Sequence, residues 1–87
     1  MIKDTIIIEN ETGLHARPAT EISKEAMKYK SDIKFIVNEK TVNAKSPLMI
    51  MAAGIKTKTE MEIICDGEDE NEALEALKTT IKNQIDK

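Results

Sequence analysis

His15 is the only histidine in the chain, and it lies where an extended segment is predicted to turn into a helix starting near Ala16. An imidazole with its ordinary pKa of about 6.5 is largely neutral near physiological pH, so it can attack phosphorus without a separate base. Arg17 adds a permanent cation two residues later. These residue types predict reversible uptake of a phosphoryl group, whereas the plainer interpretation makes His15 a helix-start residue in an exposed turn.

The predicted helix start supplies further groups for binding an anion. Backbone N–H groups in the first turn have no partner within the helix, and the helix dipole favours negative charge there. We therefore expect the N–H groups of Ala16 and Arg17 to donate to phosphate oxygens. Pro18 suits the first turn, because its missing N–H would have had no carbonyl partner.

A second helix start is predicted at Ser46, with serine as N-cap, Pro47 at the first helical position and Gly54 ending the helix. Residues 47–53 are apolar on every side, although a surface helix of so small a domain buries only about one face. We expect the remaining apolar surface to dock other proteins, with methionine side chains adapting to several partners. The alternative is that these residues simply belong to the core.

Composition restricts the possible functions. The 87 residues form one domain, 1–87, with a formal net charge of -3 and only Phe35 and Tyr29 as aromatic residues, which argues against an RNA-binding domain. One histidine and Cys65 fall short of a zinc ligand set, and we expect neither a metal nor a cofactor. Cys65 follows Met61 and Ile63 at alternate positions, so it is predicted to be a buried strand residue.

The chain also lacks the marks of an enzyme or a membrane protein. There is no nucleophile elbow and no second histidine, so we expect a phosphoryl carrier rather than a self-contained hydrolase. No apolar run reaches the roughly 20 residues that span a bilayer, and residues 1–9 do not resemble a signal peptide. A cytoplasmic protein is expected.

Hydrophobic spacing predicts an α+β fold. The expected order is strand, helix, strand, strand, short helix, strand and helix, which favours an open-faced sandwich: a four-stranded antiparallel sheet covered on one face by three helices. A ferredoxin-like domain is the alternative, into which the short middle helix fits less well. The first helix is expected over residues 16–28, and Asp69 with Glu72 is predicted to form a capping box for the last.

Three segments resemble a known family. The Gly13–Ala19 segment is similar to the active-site signature of HPr, the histidine-containing phosphocarrier of the bacterial phosphoenolpyruvate-dependent sugar phosphotransferase system. Lys45-Ser46, with the apolar stretch and Gly54 that follow, resembles the regulatory-serine segment of that family. Asp66–Glu70 resembles the turn before its last helix. The resemblance covers essentially the whole chain and implies the same architecture.

The resemblance implies a function. Enzyme I, phosphorylated from phosphoenolpyruvate, would donate to Nδ1 of His15, which would then donate to sugar-specific IIA domains, with Arg17 holding the phosphoryl oxygens. Pro47, Leu48 and Met51 would form the docking surface beside His15. Lys24 would add positive potential for acidic partners, although a solvated helix lysine is the simpler interpretation. A monomer is expected.

The resemblance also implies regulation at Ser46, by an HPr kinase/phosphorylase and through a catabolite-control transcription factor. Pro47 directly after the serine and Met49, where many relatives carry glycine, alter the surface that a kinase would contact. Ser46 could therefore serve as a helix cap alone. The alternative function is a purely regulatory binding module that acts through Ser46 and the apolar helix without carrying phosphate.

Overall fold

The computed structural model describes residues 1–8 and 16–85 of the chain. In these ranges the order is β1 (Ile2–Ile7), α1 (Ala16–Ala26), β2 (Asp32–Val37), β3 (Lys40–Asn43), α2 (Pro47–Ala52), β4 (Glu60–Asp66) and α3 (Glu70–Ile85). The predicted order is confirmed. The first helix ends at Ala26, two residues earlier than predicted, because Met27 and Lys28 form a turn.

The four strands form one antiparallel sheet in the order β1-β4-β2-β3. β1 lies at one edge and pairs along its length with β4, from Ile2 opposite Cys65 to Ile7 opposite Glu60. A two-residue turn joins β2 and β3, and its residues Asn38 and Glu39 have φ angles of 51° and 66°. Positive φ at both central positions matches the right-handed twist of a hairpin.

In β2 and β4, buried residues alternate strictly with more exposed ones, so one face of the sheet is covered and the other is open. The buried positions point towards the helices, and the residues between them, which are charged except for Ile36 and Ile64, form the open face. On the covered face α1 contacts both α3 and α2, α3 also contacts β1 and β4, and α2 contacts β3. The two central strands contribute Ile33, Phe35, Val37, Met61, Ile63 and Cys65 to the core. The predicted open-faced sandwich is confirmed, with α2 as the element that the ferredoxin-like alternative does not accommodate.

The start of α3 is joined to the start of β2 by the carboxylate of Asp69. This group accepts hydrogen bonds from the backbone N–H groups of Lys30 at 2.9 Å and Ser31 at 3.0 Å, and also from the Ser31 hydroxyl. The Ser31 hydroxyl and these N–H groups lower the pKa of Asp69, because they stabilise its ionised form. Gly67 lies so close to Ser31 that an added Cβ would be 2.5 Å from the serine Oγ.

The prediction that Asp69 and Glu72 form a capping box is therefore wrong, because other residues make these hydrogen bonds. Asp69 precedes the first residue of α3, but its carboxylate binds the β2 segment. A carboxylate does reach back to a backbone N–H three residues earlier, but it belongs to Glu70, which accepts from Gly67 at 3.3 Å. Glu70 takes the position expected for Glu72, because the carboxylate of Asp69 is bound to the backbone of Lys30 and Ser31.

Candidate functional site: two helix starts on the covered face

The first part of the site is the start of α1. The helix begins at Ala16, as predicted, and its first turn holds no acidic residue. Arg17 is exposed and Pro18 is buried. His15 immediately precedes this helix in sequence and lies outside the described residues, as does the side chain of Ala16. The N–H groups of the first turn and the Arg17 guanidinium make this end of α1 electropositive.

Two cations lie on the same exposed face of α1. Lys24 follows Arg17 by seven residues, which is about two helical turns or roughly 10 Å along the axis. Both side chains are exposed. Lys24 occupies the last turn, where the helix dipole favours a positive charge. Its charge therefore stabilises the helix end, in addition to the predicted role of attracting acidic partners. This face of α1 can attract an acidic surface.

The second part is the start of α2. Ser46 has the extended backbone of an N-cap, and its hydroxyl accepts from the backbone N–H of Met49 at 3.3 Å. Pro47 is the first residue of the helix, and Gly54, with φ of 62°, follows the C-cap Ala53. A glycine adopts this left-handed backbone without the Cβ penalty. The predicted cap and helix end are both confirmed.

α2 presents an apolar surface. Ile50 is fully buried, but Leu48 is 74% exposed and Met49 44% exposed. Pro47 and Met51 are half-buried, and Met51 packs against the core. We call Pro47, Leu48, Met49 and Met51 the α2 apolar patch. The prediction that part of this helix is exposed is confirmed. The alternative interpretation, that these residues belong to the core, is correct for Ile50.

α1 and α2 are held together by direct packing and by a hydrogen bond. α1 contacts α2 directly. Lys45 adds a polar link, because its Nζ donates to the backbone carbonyl of Tyr29 at 2.9 Å. This bond connects the residue before Ser46 to the turn that follows α1. No local pattern of residues indicates this hydrogen bond, since the partners are 16 residues apart and one of them is a main-chain oxygen.

Cys65 takes no part in the site. It is fully buried on the covered face of β4, as predicted. Burial raises the pKa of its thiol to about 11, so the nucleophilic thiolate is scarce at neutral pH. Within residues 1–8 and 16–85, no three His, Cys, Asp or Glu side chains are grouped closely enough to hold a metal ion. None of the described helices is long and apolar enough to cross a membrane.

Comparisons with known proteins agree with this arrangement. The family model described as the PTS HPr component phosphorylation site matches residues 2–83. The phosphocarrier protein HPr of Mycoplasma capricolum is 48% identical over 81 residues, covering 93% of this chain and 91% of that protein.

Solved structures give the same result over the whole fold. A mycoplasma histidine-containing phosphocarrier protein superimposes with a TM-score of 0.94 at 45% identity, covering 97% of this chain and 96% of that one. HPr-C-His from Thermoanaerobacter tengcongensis gives a TM-score of 0.93 at 39% identity, with 100% and 98% coverage.

An open-faced sandwich with an electropositive helix start after its histidine, matched over nearly its full length by these relatives, defines a phosphocarrier protein. The chain belongs to the HPr family, the histidine-containing phosphocarriers of the phosphotransferase system.

Proposed function

We propose that this chain accepts a phosphoryl group from enzyme I on Nδ1 of His15 and passes it to the IIA domains of sugar permeases. The observation that carries the proposal is the start of α1 directly after His15, with Arg17 exposed and no acidic side chain in the first turn. Such a helix start is suited to an anion. The protein works in the cytoplasm as a monomer and is a carrier rather than a self-contained enzyme.

Each transfer exchanges one phosphorus–nitrogen bond for another. The lone pair on Nδ1 of His15 attacks the phosphorus held by enzyme I, and the donor nitrogen leaves with the electron pair of the broken bond. The guanidinium of Arg17 and the N–H groups of Ala16 and Arg17 donate to the non-bridging oxygens. Transfer to a IIA domain repeats the exchange in the other direction, so the chain is regenerated.

Docking uses the apolar and cationic surfaces together. Leu48, with Pro47 and Met51, supplies exposed or half-buried apolar area next to α1. Arg17 and Lys24 supply positive charge along the exposed face of α1. Apolar contact holds a partner, whereas opposite charge guides its approach. Partners of this kind carry an apolar contact area bordered by acidic side chains.

The experiment is incubation of the chain with enzyme I and phosphoenolpyruvate in the absence of ATP. We expect the intact mass to rise by one phosphate, and we expect acid to remove that phosphate, because a phosphorus–nitrogen bond on imidazole is acid-labile. An HPr known to accept phosphate from the same enzyme I serves as the control. If the control is labelled and this chain is not, the proposal is wrong and the regulatory-module alternative takes its place.

A finer part of the proposal concerns Ser46, which we propose is phosphorylated by an HPr kinase/phosphorylase and then contacts a catabolite-control transcription factor. Its hydroxyl already faces the first N–H groups of α2, a position that tolerates negative charge. A phosphate there adds charge beside the α2 apolar patch. The fold is retained, and partners that bind an apolar surface are repelled.

Ser46→Asp is expected to slow phosphorylation by enzyme I about tenfold, whereas Ser46→Asn leaves the rate close to that of the unchanged chain. Both residues are good N-caps, so the pair differs by a charge and not by helix stability. A tenfold effect corresponds to about 1.4 kcal/mol. Initial rates at low ionic strength measure it. Equal rates for the two variants would show that charge at Ser46 does not control docking.

A further inference from the structure

The turn that follows α2 has an unusual backbone. Thr59 N–H donates to the carbonyl of Lys56 at 3.3 Å, closing a four-residue turn whose third residue is Lys58. Lys58 has a φ of 64°, in the left-handed region. Turns with this conformation at the third position favour glycine, because a Cβ is strained there. A glycine at this position would make the fold more stable, so stability does not explain the lysine.

This turn is attached to the strand that leads to His15. Lys58 N–H donates to the carbonyl of Ile8 at 2.5 Å, and Ile8 N–H donates to the carbonyl of Thr59 at 2.9 Å. The two bonds extend the pairing of β1 and β4 beyond the sheet. Ile8 is fully buried. The turn is therefore bonded to Ile8, the last described residue before the 9–15 segment that contains His15.

The lysines of the turn are available for a partner. Lys56 and Lys58 are both exposed, and neither forms an ion pair with another residue in the described part of the chain. Several other lysines are paired with carboxylates: Lys3 with Glu62, Lys28 with Glu25 and Lys78 with Asp4. Among residues 1–8 and 16–85, the turn therefore presents two lysines without an ion-pair partner, on a backbone bonded to Ile8.

We infer that Lys58, assisted by Lys56, is a specificity-determining contact that binds acidic side chains on the proteins that exchange phosphate with His15. The inference rests on the proposed function and adds a residue outside both α1 and α2. A partner that contacts both α1 and the Lys56–Thr59 turn meets positive charge from Arg17 and Lys24 on the helix and from the two lysines of the turn. Recognition of acidic side chains gives a role to the charge of a lysine in a strained position that would otherwise favour glycine.

The test compares Lys58→Gly with Lys34→Gln, two variants that each remove one positive charge. Lys34 is exposed on the open face of the sheet, away from the helices. We expect Lys58→Gly to melt at the same temperature as the unchanged chain or higher, and to raise the KM for phosphorylation by enzyme I roughly threefold at low salt with kcat unchanged. Salt near 1 M should remove the difference. Lys34→Gln should leave the KM unchanged, and Lys58→Arg should retain the KM of the unchanged chain.

Several results would overturn the inference. Equal KM values for Lys58→Gly and the unchanged chain at low salt would show that the charge has no role in recognition. A faster loss of phosphate from isolated phosphorylated Lys58→Gly, with an unaltered KM, would mean that Lys58 acts on the phosphohistidine and not on the partner. Failure of the unchanged chain to be phosphorylated would instead contradict the proposed function, together with the inference that depends on it.

Discussion

His15→Ala is expected to abolish acid-labile phosphorylation by enzyme I and phosphoenolpyruvate, with no residual transfer to IIA domains. The chain has one histidine, so no second imidazole can replace it as nucleophile. Because a residue that exchanges phosphate with partner proteins must be accessible to them, we expect the free energy of unfolding to change by no more than about 0.5 kcal/mol. Intact mass measures the phosphate, and urea denaturation measures stability.

Arg17→Ala is the companion variant, because it leaves the nucleophile and removes the cation beside it. We expect it to be phosphorylated at the same site about a hundredfold more slowly, which is typical of losing one donor to a transferred group. The two variants are distinguished by their uptake of phosphate. His15→Ala takes up none, whereas Arg17→Ala takes up one phosphate slowly. Acid-labile phosphate on a folded His15→Ala variant would show that a different residue is the carrier.

Phe35→Ala is expected to have the largest effect on stability, about 3–5 kcal/mol. The ring is fully buried on the covered face of β2, opposite Ile63 in β4 and Val42 in β3. Its removal leaves a cavity that the paired strands cannot close. A chain of this length has a total stability of about 4–13 kcal/mol, so the variant is expected to lose a large share of it and to unfold at a much lower urea concentration.

Urea denaturation of three variants tests this expectation. Phe35→Leu retains most of the buried volume and should cost less than half as much as Phe35→Ala. Lys34→Ala changes the neighbouring residue on the open face and should alter stability by no more than about 0.5 kcal/mol. A loss for Phe35→Ala no larger than that for Lys34→Ala would mean that the packing of this sheet differs from the one described.

The parts of the structure that the sequence predicted are those in which local pattern and tertiary packing agree. Alternation around Phe35 and Ile63 identified which face of each strand is buried. Ser46-Pro47 and Gly54 identified both ends of α2, because caps depend on neighbouring residues. The electropositive helix start after His15 was also predictable, since it needs only the backbone and Arg17.

Other features depend on residues far apart in the chain and could not be predicted. Asp69 fits a capping pattern, but its carboxylate binds backbone groups nearly forty positions earlier, at the start of β2. α1 ends at Ala26 although Tyr29 continues its apolar spacing, because the chain turns there towards β2. Lysine is not a turn-forming residue, so nothing at Lys58 indicated a left-handed backbone.

The pairing of β1 with β4 has a consequence for how the molecule is assembled. Ile2 lies opposite Cys65 and Ile7 opposite Glu60, so the first strand has no neighbour in the sheet until synthesis has passed residue 60. The entropy lost in closing so long a loop must be overcome before the contacts between β1 and β4 stabilise the chain. This slows folding. The backbone bonds that hold Ile8 come from the same late segment. A nascent chain therefore carries His15 long before the residues that bond Ile8 have been synthesised.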